Sequence, residues 1–136
     1  MADSHDHAAG RRRRFLRRGS VPLFGHGVIE YCLGVFAIAA PFLFSFDHNG
    51  AVAFSVLAGA AILVLAGITE SPTGIVKNLP LASHVVLDVV VGVVLVVAPF
   101  VLGFTEDAAA TAFIVLLGLA YLFLAYVTRY DVRGRN

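Results

Sequence analysis

The chain holds one cysteine, Cys32, no tryptophan, and few charges, with Asp, Glu, Lys and Arg making up only 14% of its 136 residues. A single thiol excludes an intrachain disulfide, a four-cysteine zinc site and any membrane redox fold that works through a cysteine pair. A soluble domain carries about 25% charged residues and roughly 45–50% apolar ones, whereas 59% of this chain is hydrophobic. An ordinary soluble enzyme is excluded. The sequence also lacks a glycine-rich phosphate loop and a Gly-x-Ser-x-Gly elbow. Its basic residues have no interleaved aromatics on which bases could stack, so no nucleic acid partner is expected.

What is present is long apolar stretches. A spanning helix needs about 20 mostly apolar residues, and four segments qualify: Leu23 to Phe46, Ala51 to Ile68, Leu81 to Phe104 and Ala108 to Val127. The first two are joined by Asp47-His48-Asn49-Gly50 and the last two by Thr105-Glu106-Asp107, and connections this short force antiparallel neighbours. The expected fold is an all-α membrane protein of four transmembrane helices, arranged as two tandem two-helix repeats. Residues 1–20 read as a basic tail without regular structure, 21–69 as the first repeat, 70–79 as a linker, 80–128 as the second repeat and 129–136 as a second tail. Cys32 lies within an apolar run, where packing is its expected role.

Lys and Arg mark the cytoplasmic flanks of spans. Arg11, Arg12, Arg13, Arg14, Arg17 and Arg18 precede the first span, Lys77 lies in the linker, and Arg129, Arg133 and Arg135 follow the fourth span. The two hairpin turns carry Asp47, Glu106 and Asp107 and no base. A multi-pass protein of the cytoplasmic membrane with both termini cytoplasmic is expected, with Tyr126 and Tyr130 as interfacial anchors. Arg12-Arg13-Arg14-Phe15-Leu16-Arg17 resembles the twin-arginine export signal. The apolar stretch after it is longer than a cleavable h-region of about 7–15 residues, so the arginines read as a topology anchor that can also contact anionic lipid. His5 and His7 are weak metal candidates at most.

An internal duplication is the most informative feature. Pro22 to Phe46 and Pro80 to Phe104 align at a 58-residue offset with ten of 25 positions identical. The shared frame is Pro-Leu, then His26 or His84, Glu30 or Asp88, Gly34 or Gly92, and Ala40-Pro41-Phe42 with Phe46 or Ala98-Pro99-Phe100 with Phe104. After one inserted residue the match resumes, pairing Phe54 with Phe113, Gly59 with Gly118 and Thr69 with Thr128. Because each repeat has two spans, both insert in the same direction and corresponding residues lie at equal depth.

His, carboxylate and Gly at i, i+4 and i+8 form one stripe along a helix face. Charged groups in hydrocarbon cost on the order of 2.5–3.5 kcal/mol on insertion scales, so they face protein or water and are functional candidates. Brought together, His26, Glu30, His84 and Asp88 would form a structural clamp, a proton or ion path, or a site for zinc, manganese or iron. The helix macrodipole, which favours acidic groups in the first turns, supports the bland reading. Gly34 and Gly92 let backbones approach. Ala51, Ser55 and Gly59 form a further small-residue face, for use within the hairpin or against a second copy in a homo-oligomer. Pro41 and Pro99 are expected to kink their helices near the outer end, with Phe42, Phe46, Phe100 and Phe104 around the outer boundary.

The Ala-Pro-Phe-x3-Phe repeat with its upstream carboxylate and glycine resembles the SPW-repeat integral membrane proteins over about residues 22 to 127. Their two-span units carry Ser-Pro-Trp near the end of the first helix, where this chain has Ala40-Pro41-Phe42 and Ala98-Pro99-Phe100. A less close similarity is to small acid-resistance membrane proteins of the HdeD kind. The resemblance implies a bacterial cytoplasmic membrane and no defined activity. The expected function is therefore structural or interaction-type, non-enzymatic and without a cofactor. A small proton- or cation-coupled transporter or channel using Glu30 and Asp88 is the alternative, and a membrane metal-binding protein the second. In cells expressing the chain, carbonate or high-salt washing should leave it in the membrane pellet; release into the supernatant would overturn the four-span reading.

Overall fold

The computed structural model describes residues 19–130. The arginines at 11–14, 17 and 18, the histidines at 5 and 7, and residues 131–136 lie outside the described residues, so the anchoring and lipid roles expected of the arginine run find no structural account. Four helices follow in order: α1 Leu23–Leu43, α2 Asn49–Ile68, α3 Leu81–Val101 and α4 Ala108–Val127. All four are long and apolar enough to cross a membrane. Valine-rich α3 is helical despite its β-branched side chains, as hydrocarbon demands: only a helix satisfies its own backbone there.

α1 packs against α2 and α3 against α4, and the two hairpins meet more loosely through α1, α2 and α4. The seam within each hairpin is set by glycine. A Cβ on Gly59 would come within 2.5 Å of the Gly34 carbonyl oxygen, and one on Gly118 within 2.8 Å of that of Gly92. Lipid supplies no hydrophobic drive for helices to associate, so such close backbone approach is what gives dispersion its reach. Ala51, Ser55 and Gly59 are buried in this seam, so the small-residue face serves the hairpin. Cys32, in contrast to its expected packing role, is exposed on the bundle surface.

Helices α1 and α3 end three residues short of the expected Phe46 and Phe104, each closed by a left-handed residue that follows a repeated proline. Pro41 and Pro99 lie in the last turn, each two residues from the helix end. Phe46 N–H then donates to the Pro41 carbonyl at 3.0 Å, and Phe104 N–H to that of Pro99 at 3.1 Å. Ser45 and Gly103 between them adopt φ of 50° and 72°. This is the Schellman stop, with its left-handed residue and a following apolar side chain. The proline of the signature lies inside the last turn, and its carbonyl accepts the bond that closes the helix. Pro41 leaves the carbonyl of Ala37 without its helical donor, and Ser55 Oγ donates to it at 2.7 Å. Ile114 holds the matching place in the second repeat and has no donor to offer.

Only half of the expected boundary phenylalanines stay at the boundary. Phe42 and Phe100 are exposed, while Phe46 and Phe104 are buried. Phe46 packs on Phe113 of α4 with ring centroids 6.0 Å apart, and Phe104 on Phe54 of α2 at 6.2 Å. Each repeat therefore inserts its terminal aromatic against the other.

Asp107 fastens the same end. Its Oδ1 caps α4 by accepting from Ala110 N–H at 3.0 Å, and its Oδ2 accepts from the N–H groups of Asp47 and His48 at 2.8 and 3.0 Å in the other hairpin's turn. Burial raises its carboxyl, but the three backbone donors outweigh this and hold it below its ordinary value of 3.8. The folded form prefers the carboxylate. The stabilisation is therefore full above about pH 4, and is lost as pH falls through the lower folded value. Asp107→Ala should cost about 1 kcal/mol or more at pH 7. The gap to wild type in thermal unfolding should narrow at pH 3, and a gap unchanged by acid would refute the charged-cap account.

Candidate functional site

At the opposite end the chain closes a ring. Val21, just before α1, pairs with Thr128, just after α4, and Leu79, just before α3, pairs with Thr69, just after α2. The exit of each repeat is thus tied to the lead-in of the other. The linker also folds back under α2: Ile75 and Val76 N–H both donate to the Gly67 carbonyl, at 2.7 and 2.9 Å. Arg129 Nε donates to the Gly19 carbonyl at 2.9 Å.

Directly inside this ring the two polar stripes meet. His26 and Glu30 face inward from α1, His84 and Asp88 from α3, and none exceeds 2% exposure. His26 Nε2 lies 3.4 Å from Glu30 Oε2 and 3.2 Å from Asp88 Oδ2. His84 Nε2 lies 3.2 Å from Glu30 Oε1 and 3.2 Å from Asp88 Oδ1. Each imidazole therefore touches one carboxylate of its own helix and one of the other repeat. The imidazole rings stand edge to face, 5.8 Å apart.

The outer nitrogens are held crosswise. His26 Nδ1 is 2.7 Å from Thr128 Oγ1, and His84 Nδ1 is 2.7 Å from Thr69 Oγ1. Each threonine hydroxyl spends its single proton on a helix carbonyl four residues back, Leu124 at 2.6 Å and Leu65 at 2.5 Å. A hydroxyl has one proton to give, so in both contacts the threonine accepts and the imidazole Nδ1–H donates. That fixes the tautomer. A neutral imidazole with its proton on Nδ1 turns the bare lone pair of Nε2 toward the cluster.

Two tyrosines complete the site, Tyr121 from α4 and Tyr130 from just beyond it, with no counterpart from the first repeat. Tyr121, 1% exposed, donates its hydroxyl to Glu30 Oε1 at 2.7 Å. Tyr130 reaches Asp88 Oδ2 over a longer 3.4 Å and sets its ring edge against His26, with centroids 5.6 Å apart. Burial, and then the nearby Asp88 carboxylate, push the Tyr130 phenol upward. Tyr130 was expected to be an interfacial anchor; it is instead half-buried over the cluster, while Tyr126 is exposed as an anchor would be.

The expected cluster of His26, Glu30, His84 and Asp88 is thus assembled, and Gly34 and Gly92 lie in the hairpin seams. Reading the residues alone missed the roles of Thr69, Thr128, Tyr121 and Tyr130. The threonines carried a signal, since they recur in register at the end of each repeat. Tyr121 carried the opposite one, since Ile62 holds its place in the first repeat.

The SPW repeat domain matches residues 24–128. The chain belongs to the SPW repeat family, and is a small multi-pass integral membrane protein in contact with the lipid bilayer. No curated protein and no solved structure matches it. Tyr121→Phe should remove one donor to a buried carboxylate at a cost of about 1.5–3 kcal/mol, read as a lower unfolding temperature in detergent. Ile62→Tyr, placed symmetrically, should not restore it, because its hydroxyl would face the Asp88 half.

Proposed function

We propose that the chain is a non-enzymatic membrane protein of structural or interaction type, in which His26, Glu30, His84 and Asp88 act as a clamp between the two repeats. The observation that carries this reading is the crossed pattern: each imidazole is within 3.4 Å of a carboxylate from both repeats. With a second proton on each imidazole, on Nε2, two imidazolium and two carboxylate groups make a neutral set, the form in which ionisable groups are tolerated in low dielectric. The four groups are buried and face one another across the two repeats, which supports a structural, non-enzymatic role.

A proton- or cation-coupled path through Glu30 and Asp88 would need polar groups leading on toward the hairpin turns. The buried core in that direction is apolar, with Ala37, Ala40, Leu95, Ala98, Ile114 and Phe104 among its side chains, and Ser55 is already bonded to a carbonyl. This apolar stretch favours the clamp over conduction. The ring of Val21, Thr128, Leu79 and Thr69 gathers Lys77 and Arg129 at one end, and the acidic turns lie at the other. By the positive-inside bias, the ring end faces the cytoplasm in our reading. The arginine run before α1 would then sit at the inner leaflet, within reach of anionic lipid headgroups.

Removing one partner of a buried ion pair costs about 3–5 kcal/mol. Glu30→Gln and Asp88→Asn should each lower the unfolding temperature and loosen the hairpins, seen as faster proteolysis in the linker. Proteoliposomes of wild type and both variants should show the same proton uptake. A carboxylate-dependent flux in a folded variant pair would replace the clamp with the transport reading.

A further inference from the structure

We infer that the His26–Glu30–His84–Asp88 cluster is a binding site for one divalent metal ion of the zinc class, held in four-coordinate geometry by two imidazole Nε2 atoms and two carboxylates. The inference deepens the clamp reading by naming what fills the clamp, and rests on the same placement of the four side chains.

The first support is distance. One ligand atom from each of the four residues falls within a set whose members all lie within 4.8 Å of one another. Zinc bonds to imidazole and carboxylate run about 2.0–2.2 Å, so neighbouring ligands of a tetrahedral ion stand about 3.3–3.6 Å apart. The four imidazole-to-carboxylate separations are 3.2–3.4 Å. Direct charge-assisted hydrogen bonds would draw them in to about 2.7–2.9 Å. Each carboxylate makes these contacts with both of its oxygens, one toward each imidazole, so the four groups surround a common space that an ion would fill by drawing one oxygen of each carboxylate inward.

The second support is what the side chains lack. His26 Nε2 and Asp88 Oδ1 are buried with no hydrogen-bond partner, a deficit that costs about 1–3 kcal/mol per group if left so. Both point into the cluster. The third support is the outer shell. Metal-bound histidines donate their second ring N–H to a fixed acceptor that sets the tautomer and orients the ligand. Thr128 and Thr69 do this for both imidazoles, and Tyr121 donates to the ligating carboxylate of Glu30. Charge agrees as well: two carboxylates, two neutral imidazoles and one divalent ion sum to zero. Mixed nitrogen and oxygen donors with no thiolate suit zinc, with cobalt as a spectroscopic stand-in. Half-buried Tyr130 marks the side from which an ion would arrive.

The full chain, purified in mild detergent and stripped with EDTA, is titrated with ZnCl2 by calorimetry and with CoCl2 in the visible. The expected result is one zinc per chain bound tighter than about 1 μM, with the strong visible bands of four-coordinate cobalt. Glu30→Gln and Asp88→Asn should each weaken zinc by more than about tenfold. Thr128→Val, which keeps all four ligands, should weaken it by about 10–100-fold with helical circular dichroism unchanged. His5→Ala with His7→Ala should leave it intact. The inference falls if the folded chain binds no stoichiometric zinc, if zinc survives both carboxylate changes, or if it is lost with His5 and His7. Absent zinc with carboxylate variants that still destabilise the stripped protein would leave the clamp standing without the ion. Stoichiometric zinc with no such destabilisation would leave the ion standing without the clamp.

Discussion

Four ionisable side chains in a bundle clothed in valine, leucine and phenylalanine have no solvent to turn to, so they must satisfy one another, and every other feature of the fold is arranged around that need. Glu30 and Asp88 each stand on the inner face of the first helix of a repeat, four residues beyond a histidine. Neither helix alone balances them. One imidazole against one carboxylate at i and i+4 leaves lone pairs and protons over, and only the meeting of both stripes lets each imidazole lie against two carboxylates. Because unmet charge costs several kcal/mol in a low dielectric, the two hairpins are held to a single register by their polar atoms. Their apolar surfaces could slide past one another with little loss, since lipid covers either arrangement equally well.

The duplication makes this economical, and the departures from it are where the two halves specialise. Crosswise pairing recurs at three depths: Thr69 with His84 and Thr128 with His26 at one end, the quartet below them, and Phe46 on Phe113 with Phe104 on Phe54 at the other. Symmetry fails at Tyr121, opposite Ile62, and at Ser55, opposite Ile114. The first break gives Glu30 a hydroxyl donor that Asp88 gets only at the longer reach of Tyr130. The second gives the carbonyl freed by Pro41 a partner. The two carboxylates therefore sit in unequal surroundings, and a group arriving at the cluster meets a Glu side firmly bonded and an Asp side with one oxygen unspent.

Spans, repeat and polar stripes were legible in the sequence because their physics is local. A run of about 20 apolar residues is a helix in lipid whatever it packs against, and His, carboxylate and Gly at four-residue spacing share a face by helical geometry. Equal depth followed from parallel repeats, so His26, Glu30, His84 and Asp88 could be placed at one level before any contact was seen, while whether the two stripes meet depends on which helix faces pack and was not legible. What could not be read was non-local. Tyr121 to Glu30 spans 91 residues and His26 to Thr128 spans 102, and each depends on which faces of α1 and α4 meet. The helix ends were misjudged for a different reason: hydropathy continues through Phe46 and Phe104, while the stop lies at the left-handed Ser45 and Gly103 just before them, with Pro41 and Pro99 five residues back in the last turn.

That stop also gives the repeated Ala-Pro-Phe its meaning. The three residues fall at three distinct environments on one turn. Ala40 and Ala98 are buried; Pro41 and Pro99 withhold a donor in the last turn; Phe42 and Phe100 project outward, 73% and 65% exposed. Only the proline has a backbone task that no other residue performs. The outward position, at the edge of the hydrocarbon, asks for an aromatic ring and is indifferent to which one, since rings of several kinds settle at that depth. A chain with no tryptophan can therefore keep the architecture of a family whose signature contains it, provided that the proline stays and the buried Phe46 and Phe104, four and five residues after Phe42 and Pro99, still land across the bundle.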